Sequence, residues 1–198
     1  NEMKTVKLGD LERGSLFCYG GIKWAMLNLY VGYSLCISAE VVGKRTFDDG
    51  GLNDFTNSSL RAWLNGKFLN GLLENGAKED AFKDLHLDLT SDDGLDDYGT
   101  DIVTIGLITR DVYRAYRRYI PRAAEWWWTC TPRSTKHGAD GDYVRCVCAS
   151  GALGSSSAGS GYFDVRPICV LHYDTLVYVE DGEDKSGGQD SEGKEITS

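Results

Sequence analysis

Histidine, proline and methionine are scarce in this chain, at three, three and two residues among 198. With so little proline, and 24 glycines in no three-residue repeat, a collagen-like fibre is excluded. No apolar run approaches the ~18 residues that a membrane-crossing helix needs. Bases fall short of acids, 21 against 30, for a net charge of −9, which argues against non-specific binding to nucleic acid. Six cysteines are too few for a disulfide scaffold at this length. Only Cys146 and Cys148 are close, and C-x-C on a strand points both thiols to one face, which disfavours a bridge. No cysteine pair has a histidine nearby as a zinc site would, so reduced and in several cases buried cysteines are expected. A phosphate loop ending in Gly-Lys-Ser/Thr is missing, as is a G-x-S-x-G elbow.

What is present is ordinary for one globular domain: 41% apolar and 26% charged residues. Residues 180–198 hold seven acids against two bases, a net −5, leaving −4 for the first 179. The expected division is a domain over residues 1–179 and a solvated, disordered acidic tail over 180–198. The opening Asn1-Glu2-Met3-Lys4 leads straight into patterned sequence, so no secretory leader is expected in it.

Short strands are predicted at residues 5–8, 16–19, 22–29 and 33–38, with Gly20-Gly21 as a hairpin turn. Leu60, Trp63, Leu64, Phe68 and Leu72 recur at helical spacing; Asn57 or Ser58 can cap this helix and Gly76 can stop it. Residues 88–101 are acid-rich. Their offsets fail a calcium loop because Leu89 takes a ligand position, so a solvated loop is predicted. A strand over 102–108 leads to Thr109 as cap of a short helix over 110–119, ended by Pro121. Arg114, Arg117, Arg118 and Arg122 form a basic cluster there, read as a solvated face or an anion patch. Further strands are predicted at 143–149 and 165–171, separated by a run of Gly, Ser and Ala over 154–161. His86 and His172 read as structural histidines, and His137 sits in a polar loop. No catalytic constellation is found.

One set of motifs does stand out. Trp126-Trp127-Trp128-Thr129-Cys130-Thr131-Pro132, then Val144-Arg145, Gly151-Ala152-Leu153 and Val165-Arg166-Pro167-Ile168 resemble a family written W-W-L-R-S-P … V … G … V-R-P. Gly21-Ile22-Lys23-Trp24 and Ser58-Ser59-Leu60-Arg61-Ala62-Trp63-Leu64-Asn65 extend the likeness over residues 4–179. That family, common in bacteria and phages, is similar to the formylglycine-generating-enzyme branch of C-type-lectin-like folds. Several members are variable proteins of diversity-generating retroelements. Thr129-Cys130-Thr131-Pro132 departs from the family's Leu-Arg-Ser-Pro, and the Glu-Pro-Asn, Gln-Pro-Asp and Trp-Asn-Asp calcium signatures are absent.

The resemblance implies an α+β, C-type-lectin-like single domain with two helices and short antiparallel sheets. It implies a non-enzymatic ligand-binding protein without cofactor or metal, whose partner is a protein or cell-surface molecule. Neither nucleic acid nor membrane insertion is expected, an oligomer is compatible, and the setting is a phage particle or the bacterial cytoplasm or surface. The displayed ligand-binding set would be Arg133, Ser134, Thr135, Lys136, His137, Asp142, Tyr143, Cys148, Ser155, Ser157, Ser160, Tyr162, Phe163 and Asp164. Such a face tolerates change, because exposed substitutions cost within ~0.5 kcal/mol. Two rival readings are a structural virion or surface component of the same fold and a formylglycine-generating-type oxidase using cysteine thiols.

Overall fold

In the computed structural model the described residues are 2–181. Leu16–Tyr19, Ile22–Tyr30 and Tyr33–Ser38 pair as an antiparallel meander. At its first turn Gly20 and Gly21 take φ of 62° and 78°, the left-handed pair that a tight hairpin requires and that side chains with a Cβ resist. Strands distant in the chain extend the meander on both sides. Leu176–Glu180 lies between Leu16–Tyr19 and Met3–Lys7, and Ile168–His172 pairs with Tyr33–Ser38. Phe82–Lys83 and Ile105–Gly106 then share the outer side of Ile168–His172. The eight strands form a curled, half-barrel sheet.

The two ends of the described chain therefore meet, with Met3 opposite Glu180. The last strand runs through Glu180, just past the boundary expected at residue 179, and the Asp181 N–H donates to the Glu2 carbonyl at 2.9 Å. The rest of the expected acidic tail lies outside the described residues.

The apolar periodicity folds as expected. Ser59–Trp63, Leu64–Phe68 and Leu69–Glu74 run on as one helical rod, the middle piece a π turn. Leu60, Leu64, Phe68 and Leu72 are buried in the core, each stabilising the fold by about 1.5–3 kcal/mol. Ser58 is the cap: its Oγ accepts from the Arg61 N–H at 3.1 Å, satisfying one of the open amides of the first turn. Gly76, at φ 97°, stops the rod. The second helix, Arg110–Tyr116, is capped by Thr109 Oγ1 and tightens into a 3-10 turn, Arg117–Tyr119, before Pro121.

Some local expectations change. The strand predicted over 102–108 divides: Thr100–Val103 pairs with Leu85–Asp88 as a separate hairpin, and Ile105–Gly106 joins the large sheet. Asn65 makes the break, its Oδ1 accepting from the Thr104 and Ile105 amides at 3.2 and 3.0 Å. His86 and His172, read as structural, are both exposed. A second sheet of five strands, Leu153–Ser157, Tyr143–Val147, Trp127–Pro132, Phe163–Asp164 and Lys44–Arg45, in that order, packs against the rest through Trp128, Phe47 and Phe55. The chain is thus a single α+β domain of mostly antiparallel sheets with two helices.

Candidate ligand-binding site

Strand Trp127–Pro132 sits between Tyr143–Val147, antiparallel to it, and Phe163–Asp164, parallel to it. Successive strand side chains point to opposite faces, so the tryptophans part company. Trp128 goes inward: its ring lies 5.6 Å from Phe47 and 4.8 Å from Phe163, and its Nε1 donates to the Arg45 carbonyl at 2.8 Å. Trp127 turns to the other face, edge-on to Tyr113 at 5.7 Å and under the Arg166 guanidinium at 5.0 Å. Trp126, just ahead of the strand, stays 38% exposed with its ring 5.7 Å from Phe163. The Gly/Ser run is shaped by these rings. A Cβ on Gly154 would stand 3.0 Å from the Trp126 ring, and one on Gly161 would stand 2.7 Å from Trp128.

Trp126, Phe163 and Tyr162, with Lys44 and Glu125, enclose a surface cleft of about 280 Å³. Tyr162 is 62% exposed. Lys44 and Tyr162 also border a neighbouring polar recess of about 310 Å³ with Arg45, Thr46, Asp49 and Ser59. The Lys44 ammonium stands 4.0 Å from the buried Asp164 carboxylate, whose pKa burial raises against the pull of Lys44. Aromatic walls beside a cation and hydroxyls suit a ligand with an apolar or ring face and acceptor oxygens.

The expected displayed set divides by burial. Arg133, Lys136, His137, Asp142, Tyr143, Ser160 and Tyr162 are exposed, and Cys148, Ser155, Ser157 and Phe163 are half-buried. Ser134, Thr135 and Asp164 are buried, contrary to expectation. Ser134 Oγ accepts from the Ala139 amide and its carbonyl accepts from Asn53; Thr135 Oγ1 donates to Asp97 at 2.7 Å. These two hold a loop, and Asp164 holds the parallel strand of the second sheet in place through its backbone pairing with Trp126 and Trp127.

Nor does the set share one face. Tyr143 pairs with Ser157 and Arg145 with Ser155, which places them on the face opposite Trp128 and its neighbour Phe163. Tyr143 there carries the Arg133 guanidinium over its ring at 4.2 Å.

The acidic loop is docked rather than solvated. Asp97 takes the Thr135 hydroxyl and the His137 Nδ1 at 2.7 and 2.6 Å, and these bonds hold its carboxyl below the usual range. Burial works against ionised Asp140, but the Tyr143 amide and the Arg133 guanidinium hold its pKa down. The Tyr98 hydroxyl accepts from the Lys136 amide and donates to Asn53 Oδ1. Asp92 receives both Arg110 and Arg145. Among the described residues no group of three or more His, Cys, Asp or Glu is placed to hold a metal ion.

Sequence reasoning missed Trp126, Lys44 and Arg45 as lining residues. The tryptophan run was the available signal for the first; nothing local marks the other two, which a chain-distant strand supplies. It also missed a cleft of about 600 Å³ lined by Leu35, Ile168, Val170, Tyr30, Tyr33 and Val112, which strands and a helix far apart in the chain bring together. The six cysteines are all unbridged. Burial pushes the Cys130 thiol up and that of Cys146 to about 12. The chain matches no family model, no curated protein and no solved structure.

Proposed function

We propose that this chain is a ligand-binding protein of C-type-lectin-like type, resembling the variable proteins of diversity-generating retroelements. Its recognition surface begins at Trp126 and takes in Tyr162 and Phe163. The observation that carries the reading is the aromatic cleft. Trp126 and Tyr162 are exposed, and both flank Phe163, whose ring rests on the buried Trp128. Exposed aromatics anchor interfaces because they bring large contact area at little cost in side-chain entropy, and here each directly precedes a strand of the second sheet.

Other features support the lectin-like reading. The terminal strands pair, two helices share one core with the large sheet, and a small second sheet carries the tryptophan-rich strand. The oxidase alternative calls for activated thiols, whereas burial raises the pKa of Cys130, Cys146 and Cys148. The test has two parts. The DNA flanking the gene is searched for a near-copy of the segment encoding residues 126–167, differing mainly at adenines, beside a reverse transcriptase. Labelled protein is then measured for binding to a panel of intact bacterial strains. Tyr162→Ala with Phe163→Ala is expected to weaken binding by tenfold or more. Binding that the double variant leaves intact, with no such near-copy, overturns the proposal.

A further inference from the structure

The basic cluster of the second helix has a structural counterpart deeper in the molecule. Arg117 and Arg122, both exposed, and Arg166, fully buried, line one side-open cavity of about 60 Å³ with Tyr113, Trp127 and Gly151. A water needs roughly 10–15 Å³ of such space, so the cavity has room for about four to six oxygen-sized atoms. Arg166 spends its Nε and Nη2 hydrogens on the Ser38 and Ala39 carbonyls, and Nη1 donates to the Pro121 carbonyl at 2.7 Å. A guanidinium has five N–H donors, so these bonds leave one over, on a residue that lines the cavity. Arg122 donates through Nη2 to the Ser150 carbonyl at 3.2 Å, which holds it at the rim without neutralising it. No described carboxylate forms an ion pair with any of the three arginines. Asp164 acts on Arg166 only through space and lies against Lys44.

The local backbone is arranged around these cations. Gly151, at φ 86°, leaves room for Arg117, whose Nη2 would stand 2.5 Å from a Cβ there. The Tyr113 hydroxyl donates to the Gly151 carbonyl at 2.6 Å, fixing the turn against the helix. Burial raises the Tyr113 pKa against the charges of Arg117, Arg122 and Arg166, which act on its hydroxyl through space. Three positive groups thus converge on one small cavity in a chain of net charge −9. From this cavity and its guanidiniums, which have no ion-pair partner among the described carboxylates, we infer an anion-binding site for a tetrahedral oxyanion, the phosphate or sulfate group of a small ligand. Charge-assisted bonds from arginine suit such a group, because the guanidinium fork matches its oxygens. The site is separate from the aromatic cleft and stands or falls independently of it.

The test is calorimetric titration of the full chain with inorganic phosphate, sulfate, acetate and glycerol 3-phosphate at constant ionic strength. Phosphate and sulfate are expected to bind one per chain, and acetate at least tenfold more weakly. Arg117→Gln and Arg122→Gln are each expected to weaken phosphate about tenfold. Arg114→Gln, one turn earlier and away from the cavity, is expected to leave it unchanged. Glycerol 3-phosphate binding as tightly as phosphate supports the site with a phosphate ester as its ligand; binding of the free anions alone supports it with an inorganic ion. No saturable binding, equal binding of acetate, phosphate binding that Arg117→Gln and Arg122→Gln both leave intact, or an equal loss in Arg114→Gln overturns the inference. Both cavity arginines in the test are exposed, and a thermal melt of each variant verifies that it is folded.

Discussion

Replacing Asp92 by asparagine tests whether the acidic loop is part of the fold. The Asp92 side chain is 10% exposed and receives Arg110 of the second helix and Arg145 of the second sheet, the latter also through Nε at 2.6 Å. One carboxylate thereby ties the loop to two elements. A hydrogen bond to a charged group contributes about 1.5–3 kcal/mol, and removing one partner of a buried pair costs about 3–5 kcal/mol. Both guanidiniums are near 30% exposed, so water recovers part of that loss. Asp92→Asn should therefore cost about 2–3 kcal/mol, which lowers Tm by roughly 4–12 °C in a domain of this size. The assay is urea unfolding at low salt, which leaves ion pairs unscreened, comparing midpoint and slope with Asp96→Asn, an exposed loop neighbour expected to stay within about 0.5 kcal/mol. Equal midpoints for the two variants would refute the reasoning and return the loop to solvent.

Glycines offer a second test. Gly161→Ala should destabilise by about 1–3 kcal/mol through overpacking against Trp128, since its Cβ would meet that ring at 2.7 Å. Gly66→Ala, whose Cβ meets nothing within 4 Å, should stabilise by about 0.5–1 kcal/mol; thermal melts distinguish the two signs. A third prediction concerns acid. Asp88, Asp93, Asp97 and Asp140 all have folded pKa values lowered by hydrogen bonds or charge. Their contribution is therefore present above the unfolded carboxyl value of about 3.9 and lost as pH falls through the lower folded values. Amide protection across residues 88–101 and 133–142 should fall below about pH 4 before the large sheet opens, and uniform loss of protection would contradict this.

How much was legible varied with range. The cap to within Asn57 or Ser58, the Gly76 stop and the apolar stripe from Leu60 to Leu72 were readable because each works within a few residues of itself. So was the Gly20-Gly21 turn, where backbone sterics decide locally. The site was only half legible. Tyr162 lies on the surface as expected, yet Ser134 and Thr135, polar in a polar run, are buried by partners far away in the chain, Asn53 and Asp97.

The sequence alone determined the opening meander, the two helices with their caps and the single mixed domain, because capping, turn geometry and hydrophobic period are properties of neighbouring residues. Tertiary structure decided the rest. It chose which of three adjacent tryptophans stays near water, brought Lys44 beside Phe163, and gathered Arg117, Arg122 and Arg166 around one cavity. Those outcomes depend on strand pairings and packing between residues far apart in the chain, where no local propensity carries information.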